Sequence, residues 1–231
     1  MCCECRVGAG LPRPGSRCRQ HDVTAAEVPS ACPTDVTKNR REFILIGGGR
    51  RAEEITLIDN VTYYSQDGSN IVGYGQGVGK LTMTGNYLAS PQETAVEIKA
   101  EAPKLSGNTF VEPANHTENT YHGLQRPGGV VVLLRPNFYE VGRTHVAVFN
   151  WDRQESVELD LSATGLEQRD RFEIIDAQNY FGGPLAAGRY DGSPVKLPMK
   201  GLTVADPVAG APLRPPHTSP EFGVFVVRKA R

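Results

Sequence analysis

Four groups of residues carry side chains that could do chemistry. Cys2, Cys3, Cys5, Cys18 and His21 could supply four soft ligands to zinc. Their spacing matches no regular finger or ribbon, and no strand or helix periodicity flanks them. His116, Glu118 and His122 could ligate a metal or exchange protons, but no periodicity holds two loop histidines on one face, and Glu112 to Gly123 reads as a solvated polar connector. Gly73-Tyr-Gly-Gln-Gly-Val-Gly79 invites a phosphate-loop reading, which requires a helix N-terminus after the glycines. Lys80-Leu-Thr-Met-Thr84 follows instead and alternates as a strand does, so these glycines are expected to make tight turns. The fourth group is a set of acids and amines on alternating segments: Asp59, Asp67, Lys80, Glu97 and Lys99. Lys80 and Lys99 belong to adjacent repeats and could face one groove, whereas Asp59 sits at the turn phrase and is more simply accounted for by turn chemistry.

The elements that must position these residues recur. Ile-Thr-Leu-Ile-Asp-Asn60-Val-Thr-Tyr, Leu-Thr-Met-Thr-Gly-Asn86-Tyr-Leu and Lys-Leu-Ser-Gly-Asn108-Thr-Phe share one order: an alternating strand, a turn residue (Asp59, Gly85, Gly107), an Asn, then another strand. A further alternating segment precedes each copy, at Phe43 to Ile46, Asn70 to Tyr74 and Ala95 to Lys99. Spacings of this size signal stacked repeats. Asn tolerates the left-handed backbone region, and its amide can bond a neighbour in the next layer, so a stack of Asn60, Asn86 and Asn108 is expected. Pro103 and the alternation of Val96 and Ile98 favour a strand over a helix in the third copy.

These three copies resemble the coils of the right-handed parallel β-helix (pectate-lyase-like) family. The resemblance implies an all-β fold, a short right-handed parallel β-helix of about three coils over 41–112. It also implies that outward residues of the coils meet sugars. Lyases of this family use a basic residue against a uronate, often with calcium, and hydrolases use paired carboxylates. Asp59, Asp67, Lys80 and Lys99 are the positions that could take such roles here, and Tyr63, Tyr64, Tyr74 and Tyr87 could offer rings for sugar stacking or fill the coils.

Composition agrees with a β-rich chain. There are 25 Gly and 17 Pro, and few helix-forming runs. A formal net charge of −1 gives no basic field for nucleic acid, and the longest aliphatic run, Val130 to Leu134, is far too short to span a bilayer. Residues 1–40 read as a disordered or irregular leader with no apolar signal core, and 113–128 as a linker. From 129 to 231, Val130 to Leu134, His145 to Trp151, Ser156 to Ser162, Arg171 to Asp176, Val195 to Pro198 and Phe222 to Val227 read as six short strands of an antiparallel β-sandwich. This module resembles the all-β C-terminal domains attached to carbohydrate-active enzymes, in which such a tail is accessory. Trp151, the sole Trp, reads as core packing in preference to a sugar platform.

The functional expectation is a carbohydrate-associated segment that binds or assists without catalysis. The alternatives are a polysaccharide lyase or glycoside hydrolase with its site on the coil face, and a structural or adhesive surface protein. No resident cofactor is expected, with calcium implied if the chain is a lyase. A polysaccharide is the expected partner, and the family resemblance implies an extracellular or cell-envelope setting. A stack needs a cap at each end, and none is evident before the first coil. The chain is therefore expected to be the C-terminal part of a longer β-helix protein.

Overall fold

The computed structural model describes residues 44–63, 70–89, 96–111, 119–121, 127–207 and 215–230. The five cysteines, His21, Tyr64, Asp67, His116, Glu118 and His122 lie outside the described residues. Strands hold 54% of the described residues and helical turns 4%, which makes the chain nearly all β. It forms two compact units, divided between Leu124 and Gln125.

In the first unit each repeat gives one strand to each of three parallel sheets. The first rung is β1 (Leu45–Gly48), β2 (Ala52–Ile58) and β3 (Val61–Thr62). The second is β4 (Asn70–Gly75), β5 (Val78–Thr84) and β6 (Tyr87–Ala89). The third is β7 (Val96–Ile98), β8 (Ala100–Ser106) and β9 (Thr109–Val111). Sheet 1 is ordered β1-β4-β7 and sheet 2 β2-β5-β8. Sheet 3 runs β3-β6-β9 and then gains β10 (Thr120–Tyr121), so the segment read as a connector contributes a strand.

Register explains why the repeat folds this way. Ile46, Val72 and Ile98 are aligned across sheet 1, and Leu57, Met83 and Leu105 across sheet 2. Leu88 and Phe110 are aligned across sheet 3. All of these residues belong to or pack against one core, in which Val72, Met83 and Leu88 are completely buried. Because side chains alternate across a strand, keeping apolar residues in the same column of each rung builds a continuous core and leaves the residues between them outside. Sheet 2 turns into sheet 3 through a left-handed residue at Asp59 (φ 57°), Gly85 (φ 67°) and Gly107 (φ 61°). The left-handed position is thus the residue before each Asn, which frees the Asn side chains for bonding along the stack. Between sheets 1 and 2, a Cβ on Gly73 would lie 2.2 Å from the Lys99 carbonyl oxygen, so this position of the glycine-rich stretch serves close approach of successive rungs.

The second unit has a five-stranded antiparallel sheet ordered β11-β12-β17-β14-β15 and a two-stranded pair β13-β16. The strands are β11 (Val130–Pro136), β12 (Arg143–Asn150), β13 (Ser156–Leu159) and β14 (Arg171–Asp176). The remaining three are β15 (Ala186–Arg189), β16 (Val195–Pro198) and β17 (Phe222–Lys229). Val146, Val148, Ile174, Phe225 and Val227 of the large sheet pack with Val157, Leu159 and Leu197 of the pair in one core. The six expected strands are present, and β15 is an addition. Its sequence, Ala-Ala-Gly-Arg, has no apolar alternation, and it is an edge strand paired only with β14. The fifth to seventh residues of the expected Ser156 to Ser162 strand leave it: Asp160 Oδ1 accepts a hydrogen bond from Ser162 N–H and a short 3-10 turn begins. No helix among the described residues is long and apolar enough to cross a membrane.

Candidate functional site

The most regular constellation is the Asn column at the bend between sheets 2 and 3. Asn86 Oδ1 accepts from Asn60 N–H and from Asn60 Nδ2, both at 2.9 Å. Asn108 Oδ1 accepts the same two bonds from Asn86 at 3.1 and 2.7 Å. Asn119 continues the column, its Oδ1 accepting from Asn108 N–H and Nδ2 at 3.0 and 2.8 Å. Each amide also donates to the preceding rung: Asn86 Nδ2 to Leu57 O, Asn108 Nδ2 to Met83 O and Asn119 Nδ2 to Leu105 O. Asn86 and Asn108 are 1% exposed, so these bonds satisfy amides that would otherwise be desolvated without partners. Asn119 extends the column beyond the three Asn expected from the repeat. Its signal was Asn119-Thr-Tyr, a second copy of Asn108-Thr-Phe at a spacing of 11 residues in place of 26 or 22.

This column holds sheet 2 in register, and sheet 2 presents an outward polar face. Between the buried positions Leu57, Met83 and Leu105 lie Thr56, Thr82 and Lys104 in one column and Ile58, Thr84 and Ser106 in the next. Glu54, Lys80 and Ala102 form a third. Thr84 Oγ1 and Ser106 Oγ are 3.4 Å apart, and successive members of a column repeat at the parallel-strand spacing of about 4.8 Å. Threonine and serine hydroxyls both donate and accept, lysines donate, and Glu54 accepts, which gives a mixed lattice of donors and acceptors.

The candidates named from sequence are dispersed over the unit. Lys80 is exposed on β5, in register with Glu54 and Ala102. Lys99 sits at the bend between β7 and β8, where its Nζ donates to Gly75 O at 2.6 Å. The two lysines therefore occupy different columns, and Lys99 is engaged in tying one rung to the next. Asp59 is exposed at its left-handed bend, with its carboxylate over Gly85: a Cβ there would be 2.4 Å from Asp59 Oδ1. Glu97 is exposed on β7. Tyr87 is buried in β6, Tyr63 is half-buried, and Tyr74 on β4 is 57% exposed, which leaves Tyr74 as the most open of the three rings. Arg51 makes a bidentate ion pair with Glu101 two rungs away, its guanidinium passing over Gly79. That contact accounts for Gly79, where a Cβ would meet Arg51 Nη2 at 3.0 Å and the Glu53 carbonyl at 2.6 Å.

The second unit holds a buried polar network. His217 Nε2 and Asp176 Oδ2 are 2.9 Å apart, with their side chains 5% and 4% exposed. Ser219 N–H donates to His217 Nδ1 at 2.8 Å, so Nδ1 is the acceptor and the ring proton sits on Nε2, directed at Asp176. Gln178 N–H caps Asp176 Oδ1, while Gln178 Oε1 accepts from Thr218 N–H and Oγ1. The network fastens 217–219 to the end of β14 and has no exposed reactive atom. Trp151 is 4% exposed and stacks on Phe149 at 5.4 Å, which makes it a packing residue. Surface acids here are held below the ordinary carboxylate range: Glu155 by hydrogen bonding to Lys200, Asp160 by Ser162 N–H, Asp170 by Lys229 and Asp191 by Ser193 N–H. Among the described residues, no three His, Cys, Asp or Glu side chains gather as a metal site.

No family model, no curated protein and no solved structure matches this chain.

Proposed function

We propose that the first unit is a short right-handed parallel β-helix that holds a glycan on the outward face of sheet 2 without turning it over, with the second unit as an accessory β-sandwich. The observation that carries the proposal is the lattice of Thr56, Thr82, Thr84, Ser106, Lys80, Lys104 and Glu54 on a face whose rungs the Asn column couples. A polyhydroxyl ligand needs many modest donors and acceptors in a fixed array, and a parallel sheet supplies them at constant spacing. The same features favour binding over hydrolysis or elimination. Lys80 and Lys99 stand in separate columns, Lys99 is bonded to a carbonyl, and Asp59 lies over a bend.

Retention on a panel of insoluble neutral and acidic polysaccharides tests this, with reducing-end and ultraviolet assays run alongside, with and without calcium. Retention without product, reduced at least several-fold in Lys80→Ala/Lys104→Ala and in Thr82→Val, supports the reading. Unsaturated uronate products, absorbing in the ultraviolet, would move the assignment to a lyase. Neither retention nor product would favour a structural or adhesive role.

A further inference from the structure

The Asn column is directional, and its two ends differ. At each of the three described junctions, the later Asn accepts through Oδ1 and the earlier one donates through N–H and Nδ2. The column therefore begins with an acceptor: among the described residues no donor reaches Asn60 Oδ1. It finishes with donors. Asn119 places one Nδ2 bond on Leu105 O, and among the described residues its N–H meets no acceptor.

Sheet 3 ends where the column does, whereas sheets 1 and 2 stop one rung short of Asn119 among the described residues. Among the described residues, β1, β2 and β3 are the outermost strands of sheets 1, 2 and 3 on the Asn60 side, and β7, β8 and β10 are outermost on the other. The core is also less closed on the Asn60 side. Ile46 and Ile55 of the first rung are only partly buried, whereas their second-rung counterparts Val72 and Leu81 are 0% and 1% exposed. Strand edges with apolar residues between them are templates for further pairing.

We propose that the Asn60 end of the stack docks the Asn119 end of a second copy of this chain, so that the amide column and sheet 3 continue across the junction, β10 of one copy meeting β3 of the next. The donor–acceptor polarity selects this occupant. Two Asn60 ends would bring acceptor against acceptor, and two Asn119 ends donor against donor, while Asn119 N–H and Nδ2 meeting Asn60 Oδ1 repeats the bonds made at every internal junction. A head-to-tail contact of this kind does not close on itself, so its product is a concentration-dependent series and not a fixed dimer.

Asn119→Asp separates the junction from the internal ladder. A carboxylate at 119 still accepts from Asn108 N–H and Nδ2, but it removes the Nδ2 donor and sets a negative charge against the next Asn60 Oδ1. Sedimentation velocity of the full-length chain over a wide concentration range is the test. The expected result is a weight-average mass that climbs without a plateau for the parent, and a monomer for Asn119→Asp whose circular dichroism matches the parent. Because Asn119→Asp keeps a working Asn60 end, it should also act as a chain stopper, lowering the mass of the parent when mixed with it. Ile46→Lys, which charges the opposite end, should block association as well. A parent that stays monomeric throughout would overturn the proposal. So would a closed dimer indifferent to Asn119→Asp.

Discussion

At the scale of single residues, the amides and the residues beside them decide how tightly the rungs are coupled. Asn86 is bonded on both sides of the column, so Asn86→Ala takes the acceptor from Asn60 N–H and Nδ2, the donor from the buried Leu57 carbonyl and the Nδ2 bond to Asn108 Oδ1. We expect a loss of about 3 kcal/mol, taking one to three for each buried group left unpaired. Asn119→Ala should cost roughly half of that, because only one side of it is engaged. Urea titration of the two variants checks the order, and equal losses would argue against a coupled column. Gly85 and Gly107 offer a matched pair. Both are left-handed, but only at Gly85 would a Cβ collide, with Asp59 Oδ1 at 2.4 Å. Gly107→Ala should therefore show the backbone term alone, about 1–2 kcal/mol, and Gly85→Ala measurably more. Removing the Asp59 side chain in the same background should bring the two values together.

At the scale of elements, two devices hold segments that have little local preference of their own. The Arg51–Glu101 pair bridges the first and third rungs across Gly79, but both partners are substantially exposed, at 46% and 67%. Arg51→Ala should cost less than about 1 kcal/mol and the loss should vanish in high salt. Gly79→Ala acts on the Glu53 carbonyl as well as on the arginine, so its cost should persist in salt. His217 is the second device. With Nδ1 occupied by Ser219 N–H, its neutral form is locked as the Nε2–H tautomer, which imidazole nitrogen shifts would show directly. His217→Ala leaves the 4%-exposed Asp176 without this partner and should cost about 3 kcal/mol, in line with breaking one side of a buried polar pair. An Nδ1–H spectrum would contradict the geometry.

At the scale of the whole molecule, charge sets the pH range of stability. Asp160, Asp170 and Asp191 are held below their ordinary 3.8 and Glu155 below 4.5, so each contributes above that value and stops contributing as pH falls through its folded value. Lys200 and Lys229 are raised above 10.5 by Glu155 and Asp170, so their contribution is present below 10.5 and fades as pH rises past the folded value. Melting temperature should be flat between these limits and fall in acid below about pH 4. The acid slope should shrink at high salt, since the groups involved are on the surface. A slope insensitive to salt would point to buried groups instead. Much of this architecture was legible from residue order. Alternation located nearly every strand, and the repeated turn-residue–Asn pair announced three bends, because period and turn chemistry are local properties. Three features were not legible, each for its own reason. Asn119 sits at half the usual spacing, β15 is an edge strand without apolar alternation, and the left-handed residue proved to be the one before each Asn. Sequence alone thus determined an all-β chain with a repeating first part and the inward column of each rung. Only the tertiary structure decided which outward residues share a face, separating Lys80 from Lys99 and aligning Thr82 with Thr56 and Lys104. The physical reason is that register between strands distant in sequence depends on long-range hydrogen bonding and core packing, neither of which any one segment contains.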